Sequence, residues 1–124
     1  MKIFTVAEAN ELLPLARRKL ERIQHLYSRL GEFRPSAKAA SIASEFGGGM
    51  KGGPAYVKAL YEVGKLTTEL NDLGIQLKDY SRGLIDFPCM RDGRVVLLCW
   101  QIGDGDEIEW WHEIEAGFAG RRPL

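Results

Sequence analysis

Apolar residues recur at spacings of three and four through residues 5–30, the first helix-forming stretch of the chain. This heptad spacing lines one side of a helix with apolar side chains, against which a second helix can pack. Thr5 and Glu8 have the spacing of a capping box, which predicts the start of the helix. Because the pattern resumes beyond Pro14, we predict a helix that is kinked there and not ended. The recurring positions are Val6, Ala9, Leu13, Ala16, Leu20, Ile23, Tyr27 and Leu30.

A second heptad pattern follows Pro54. Proline suits the first turn of a helix, because the N–H that it lacks would have no acceptor within the helix there. Gly74 predicts the end of this helix. Between the two patterns, residues 31–53 are rich in Gly, Ala and Ser, which favours a flexible connector with a short helix over residues 36–46. We therefore predict a helical hairpin over residues 5–73. The second apolar positions are Tyr56, Ala59, Val63, Leu66, Leu70 and Leu73.

Beyond Gly74 the apolar period changes to two, which is typical of β-strands. Asp92 and Gly93 form a dipeptide that favours a two-residue hairpin. The uninterrupted run VVLLCW predicts a central strand that is buried on both faces. Pro88 lacks a backbone donor, so its strand is predicted to lie at an edge or to contain a bulge. The predicted strands are residues 75–78, 84–90, 94–102 and 108–114.

These elements predict an α+β fold, in which a long two-helix hairpin packs on a small antiparallel sheet of three to four strands. The length of 124 residues favours a single domain, residues 1–124, with the sheet and a docked tail in residues 75–124. A two-helix hairpin buries only one apolar seam. We therefore expect two chains to pair through their helices as a homodimer.

Charge and composition indicate which binding partners and which cellular location are expected. The chain has 17 basic and 17 acidic residues, and this balance argues against binding to nucleic acid or to an anionic membrane surface. Its apolar runs fall short of the roughly 20 residues that span a bilayer, and residues 1–10 do not resemble a signal peptide. With only two cysteines, the composition favours a reducing, cytoplasmic location.

The candidate catalytic residues are Asp86, His112 and Glu113. Strand alternation places His112 on the same face as Trp110 and Ile114, and Glu113 on the opposite face. Such a His is either a buried structural residue held by a hydrogen bond or a catalytic or metal-binding residue. His112 is thus also the candidate ligand for a transition metal, and no other cofactor is predicted.

Asp86 lies between apolar neighbours on its strand, so it either faces solvent or pairs with a cation. Arg94 and Arg121 are cationic candidates for that partner. If Asp86 instead lies across the sheet from His112, the two side chains form an Asp–His pair that orients the imidazole ring. Cys99, on the central strand, is interpreted as a small apolar residue.

The tail AGFAGRRPL combines an aromatic anchor, Phe118, with the planar donors of Arg121. One interpretation docks the tail and lets Arg121 bridge to a carboxylate of the sheet. The other makes Arg121, together with Arg94 and Trp111, the binding site of a small anionic ligand. The large aromatic side chains favour a binding surface in this region.

Several segments resemble a bacterial protein family known as domain of unknown function 2203. They are FTVAEANELLP at residues 4–14, LGIQLKD at 73–79, RGLIDFP at 82–88, DGRVVLLCWQIG at 92–103 and WHEIEAGFAGRRPL at 111–124. The resemblance implies a single-domain bacterial cytoplasmic protein and brings no activity with it.

Two functional hypotheses follow. The first is a non-enzymatic binding or assembly module that self-associates through its helices and recognises partners with a surface around Trp111, His112, Glu113 and Arg121. The alternative is a small metal-assisted enzyme with an Asp/His/Glu polar centre on the sheet and Arg121 as the anion-binding group.

Overall fold

The computed structural model describes the backbone of residues 1–44 and 53–124 and the side chains of residues 1–31 and 53–124. Two helices pack on an antiparallel sheet, which confirms the predicted α+β fold. The sheet has five strands in the described part of the chain, at least one more than predicted. The elements in order are α1 Val6–Ser44, α2 Gly53–Asp72, β1 Gln76–Asp79, β2 Leu84–Arg91, β3 Arg94–Gln101, β4 Trp110–His112, a 3-10 helix Phe118–Gly120 and β5 Arg122–Pro123.

Helix α1 begins at the predicted capping box. The Thr5 N–H donates to Glu8 Oε1 at 2.9 Å, and the Glu8 N–H donates to Thr5 Oγ1 at 3.0 Å. The helix continues through Pro14, as expected, and then runs to Ser44. Residues 31–35, predicted to belong to a flexible connector, instead continue α1, and the helix predicted over residues 36–46 is present as far as Ser44. Residues 45–52 lie outside the described residues. Residues 37–43 include four alanines, the strongest helix former, and their propensity outweighs the breaking tendency of the residues before them.

The two predicted seams face each other and the sheet. Lys19 and Arg22 of α1 reach across to Glu69 and Glu62 of α2, at 2.6 and 2.7 Å. Neither helix, over its described residues, is both long and apolar enough to cross a membrane. Val6, the first predicted seam position, is instead 36% exposed. The buried seam residues are Ala9, Leu13, Ala16, Leu20, Ile23, Leu30, Ala59, Val63 and Leu70.

The five strands form a meander in the order β1-β2-β3-β4-β5, each antiparallel to its neighbour. Asp92 and Gly93 turn the chain between β2 and β3 with φ angles of 51° and 79°, which agrees with the predicted two-residue hairpin. Strand β4 covers only residues 110–112 of the predicted 108–114.

Pro88 lies inside β2 without a bulge, because the register with β3 is unbroken on both sides of it. Strand β1 pairs only with the beginning of β2, up to Asp86. Further along, the side of β2 that faces away from β3 is contacted by Phe4, whose N–H donates to the Pro88 carbonyl at 2.7 Å. The nitrogen and carbonyl of a strand residue point to the same side, so the donor missing from Pro88 costs no bond to β3.

Both faces of the sheet are covered, and by different parts of the chain. One face, with Ile85, Phe87, Leu98 and Trp100, belongs to the core shared with the helices. The opposite face carries Leu84, Asp86, Leu97, Cys99 and His112, which are also buried. Since residues 96–100 of β3 are buried without interruption, the prediction of a central, doubly buried strand is confirmed.

Replacing Leu20 with Ala should destabilise the protein strongly. Leu20 is 0% exposed in the helical core, and removing a buried leucine costs about 2–5 kcal/mol of unfolding free energy. The matched control is Met90→Ala, a change at a side chain that is 54% exposed, where we expect a change within about 0.5 kcal/mol. Urea unfolding followed by circular dichroism measures both, and equal losses would contradict the observed core.

Candidate functional site

The register of three strands brings Asp86, Cys99 and His112 to one point on the face that points away from the helices. Asp86 lies opposite Cys99, and His112 lies opposite Leu97, two residues before Cys99 on β3. Because side chains alternate along a strand, these pairings put all three on the same face. One ligand atom from each residue lies within 4.8 Å of the others, and all three residues are buried.

The His112 imidazole is held at both ring nitrogens. Its Nδ1 lies 2.7 Å from the Glu113 carbonyl oxygen, and its Nε2 lies 3.1 and 3.2 Å from the two carboxylate oxygens of Asp86. A carbonyl oxygen can only accept, so Nδ1 carries a hydrogen and Nε2 is directed at the carboxylate. The predicted Asp–His pair is therefore present, and both side chains are 3% exposed.

Burial raises the pKa of the two acids in this cluster, Asp86 and Cys99. Loss of solvation raises the pKa of Asp86, while the nearby His112 opposes that rise. Burial likewise raises the pKa of the Cys99 thiol to about 12, and the neighbouring Asp86 carboxylate adds to the rise. The Cys99 thiol consequently keeps its proton at neutral pH and is not an activated nucleophile.

A small cavity of about 150 Å³ adjoins the cluster. Asp86 and His112 form part of its wall, and Lys78 of β1 contributes a flexible cation. The tail supplies the cover through Gly117 and Phe118. Gly117 has a φ of 64°, a conformation that suits glycine and lets the chain turn over the sheet at this point.

The third catalytic candidate, Glu113, does not join Asp86 and His112. Its carboxylate accepts from Arg94, whose Nε lies 3.1 Å from each oxygen and whose Nη2 also donates to it. This ion pair holds the pKa of Glu113 below its usual range. Arg94 is thus the partner of Glu113 and not, as one interpretation had it, of Asp86. The Asp/His/Glu centre is corrected to an Asp–His pair with Cys99 beside it.

The expected recognition surface around Trp111 and His112 is also corrected, because these side chains are only 5% and 2% exposed. Trp111 lies on the helix-facing side of the sheet, with the Arg91 and Arg122 guanidinium groups over its ring at 4.6 and 5.3 Å. Its large apolar surface is satisfied within the chain. A small anionic ligand at Arg94, Trp111 and Arg121 stays a prediction.

Arg121 fastens the tail to the sheet. Its Nη2 donates to Asp104 Oδ2 at 2.7 Å, and its guanidinium lies 4.8 Å from the ring centres of both Trp110 and Phe118. Strand β5 then pairs with β4 at the edge of the sheet. The docked-tail interpretation agrees with the structure, but the carboxylate that Arg121 contacts, Asp104, lies in the turn after β3 and not in a strand of the sheet.

Cys99 is the member of the cluster that sequence reasoning did not assign to it. Its place on β3, in alternation with Leu97, was readable from the sequence, but a cysteine in an apolar run is usually a small core residue. Only the pairing of β2 with β3 sets it opposite Asp86. The one signal that could have found it is the hairpin at Asp92 and Gly93, from which that register can be counted.

A family model described as an uncharacterized conserved protein, DUF2203, matches residues 2–124. The chain belongs to the DUF2203 family. This confirms the resemblance carried by the five sequence segments. Comparison of this DUF2203 protein with curated proteins and with solved structures found no significant match.

Removing one member of the Asp86–His112 pair should be costly. Asp86→Ala or His112→Ala leaves a buried polar group without its partner, a change that typically costs about 3–5 kcal/mol of stability. Replacing both residues with leucine should cost less than the two single changes added together. Glu113→Gln, which weakens an exposed ion pair, serves as the control and should give a clearly smaller loss. Additive losses in a double-mutant cycle of unfolding free energies would show that the pair is not coupled.

The two cysteines should differ in reactivity. Cys99 is 0% exposed and Cys89 is 7% exposed, and burial raises the pKa of both thiols. We expect iodoacetamide to modify Cys99 more slowly than Cys89 in the native protein, and both at similar rates after unfolding. Peptide mapping by mass spectrometry measures each site separately. Faster modification of native Cys99 would contradict its complete burial.

Proposed function

We propose that this protein is a non-enzymatic binding or assembly module whose working form is a homodimer, paired through the outer face of α2. That face is formed by Val57, Leu60, Tyr61, Gly64 and Thr68. The observation that carries the proposal is that this side of the helix, opposite the buried seam, bears apolar and uncharged side chains where a solvated helix face normally bears charged ones.

The apolar residues of the outer face are well exposed. Val57, Leu60 and Tyr61 are 64%, 45% and 73% exposed. Leu60, Tyr61, Gly64 and Thr68 line an open groove of about 610 Å³ along the helix, together with the charged residues Lys65 and Glu69. Val57, Tyr61, Gly64 and Thr68 follow a 4-3-4 spacing, the spacing at which one helix packs along another. Contiguous apolar exposure of this kind marks an interaction surface.

Gly64 adds a separate argument for a closely packed partner. Glycine in the middle of a helix costs about 1 kcal/mol relative to alanine. Within the described residues nothing lies within 4 Å of the position that a Cβ of residue 64 would occupy, so packing inside this chain does not account for the glycine. A second helix that approaches the backbone at Gly64 does account for it.

A second copy of the chain is the occupant that the chemistry favours. A two-fold interface brings the same surface against itself, so a face that is mainly uncharged and carries Lys65 and Glu69, one charge of each sign, is self-complementary. The acidic residues beside the face, Glu62 and Glu69, are already neutralised by Arg22 and Lys19 of α1. The Thr68 hydroxyl donates to the Gly64 carbonyl of its own helix at 2.9 Å and needs no outside acceptor. The zero net charge of the chain leaves no overall repulsion between copies.

The proposal includes a place in the bacterial cytoplasm. Support for this comes from Cys89 and Cys99, which are both free thiols. They lie on opposite faces of the sheet and keep their protons, a state that a reducing compartment preserves.

The alternative, a small metal-assisted enzyme, has one observation in its favour. Asp86 and His112 share a buried face and border a cavity. The proposed anion-binding group, Arg121, is instead paired with Asp104, and Glu113 is paired with Arg94. The alternative therefore lacks two of the groups that it needs for catalysis.

Tyr61→Glu should dissociate the dimer. In a two-fold interface the substitution brings two new negative charges together, and like charges at an interface cost several kcal/mol, which weakens the dimer on the order of 100-fold or more. Sedimentation equilibrium over a range of concentrations gives the dissociation constant. The matched control is Met90→Glu, which adds the same charge at an exposed apolar residue of β2 and should leave the dimer unchanged.

Gly64→Ala should change the stability of the isolated chain and the affinity of the dimer in opposite directions. Alanine favours the helix and meets no neighbour within the described chain, so the isolated chain should gain up to about 1 kcal/mol of stability. The same methyl group should weaken a closely packed dimer. A wild-type protein that sediments as a monomer, or a dimer that Tyr61→Glu and Gly64→Ala leave intact, would overturn the proposal.

A further inference from the structure

Asp86, Cys99 and His112 present three kinds of metal ligand to one buried point. We propose that they bind a borderline transition-metal ion such as Zn²⁺ through a carboxylate oxygen of Asp86, the Sγ of Cys99 and the Nε2 of His112. Zinc in proteins takes these three ligand types. The inference goes beyond the proposed function, since the site lies on the sheet and does not involve the outer face of α2.

The tautomer of His112 is the one that a metal ligand needs. The Nδ1–H donates to the Glu113 carbonyl at 2.7 Å and leaves the lone pair of Nε2 directed at Asp86. A lone pair does not face a carboxylate at 3.1 and 3.2 Å without a positive charge between them, either a proton or a metal ion. A ring N–H donated to a backbone carbonyl is also the usual outer contact of a metal-binding histidine, which fixes the ring and its tautomer.

The distances and charges suit a divalent ion. Two ligands at about 2.0–2.1 Å from a tetrahedral ion lie about 3.3 Å apart, close to the observed separation of His112 Nε2 and Asp86. The three ligand atoms lie within 4.8 Å of each other, so a small side-chain movement brings Cys99 into reach. Binding of the ion displaces the Cys99 thiol proton to solvent, so that one carboxylate, one thiolate and one neutral imidazole cancel the charge of a divalent ion. A neutral site is the form in which buried charges are least costly.

Three protein ligands leave a fourth position, and the cavity of about 150 Å³ borders two of the proposed ligands, Asp86 and His112. Water or a small anionic ligand would complete the coordination there, as in zinc sites that keep an exchangeable ligand. Lys78 lines the same cavity and offers a positive charge to such an anion. Phe118 and Gly117 of the tail limit access from solvent.

The experiment begins with protein purified without an affinity metal and dialysed free of metal. Zn²⁺ is then added, and native mass spectrometry counts the ions bound per chain. In parallel, Co²⁺ is added as a spectroscopic probe, because a thiolate ligand gives a ligand-to-metal charge-transfer absorption in the near ultraviolet. We expect one ion per chain and a cobalt spectrum with that thiolate band.

Three variants test the ligands directly. Cys99→Ser, Asp86→Asn and His112→Gln should each weaken Zn²⁺ binding by more than about 100-fold, since even the outer partners of ligands are worth about 10- to 100-fold. Cys89→Ser and His25→Gln are matched controls, because Cys89 lies on the opposite face of the sheet and His25 lies on α1. The controls, and the dimer-disrupting Tyr61→Glu, should bind Zn²⁺ as the wild type does.

The outcomes separate a metal site from a proton-bridged Asp–His pair. Wild-type protein that takes up no stoichiometric zinc would overturn the proposal, as would cobalt binding without the thiolate band. Unchanged binding in Cys99→Ser, or equal losses in the control variants, would overturn it as well. Circular dichroism reports whether each variant folds, and the wild-type cobalt spectrum decides the role of Cys99 even if a ligand variant does not fold.

Discussion

Eight consecutive residue pairs join β2 to β3, and their register decides which side chains meet on each face of the sheet. Asp86 lies opposite Cys99 in this register, and a slip of one residue would turn Asp86 into the apolar core beneath the helices. The tight turn at Asp92 and Gly93 sets the register, since both residues adopt the positive φ angles that a two-residue hairpin requires. The cluster of Asp86, Cys99 and His112 therefore depends on the turn at the other end of the β2–β3 hairpin.

The two faces of the sheet are covered by layers of different size. Long helices with apolar seams cover one face, whereas a short tail held by Phe118, Arg121 and β5 covers the other. A thin cover with a cavity beneath it can accommodate polar groups, provided that each has a partner. Asp86 and His112 meet this condition through each other and through the Glu113 carbonyl.

Helix α2 has an inner face that is buried by α1 and the sheet and an outer face that the described part of the chain leaves exposed. Val57 and the ring of Tyr61 expose apolar surface to water, and Gly64 weakens the helix that carries them. A partner that covers this face accounts for both features. The dimer interface would then lie on α2, and the cluster of Asp86, Cys99 and His112 would lie on the face of the sheet that points away from the helices.

The hydrophobic period by itself determined the two seams and the doubly buried β3. The capping-box spacing gave the start of α1 at Thr5 and Glu8, and the Asp92-Gly93 dipeptide gave the hairpin turn, because all of these features depend on neighbours along the chain. It also allowed Asp86 to be considered as a partner for His112. The tertiary structure alone decided that Glu113 pairs with Arg94, that Trp111 is buried and that Cys99 joins the cluster. These contacts depend on strand register and on where the tail docks, which arise from packing between residues distant in the chain.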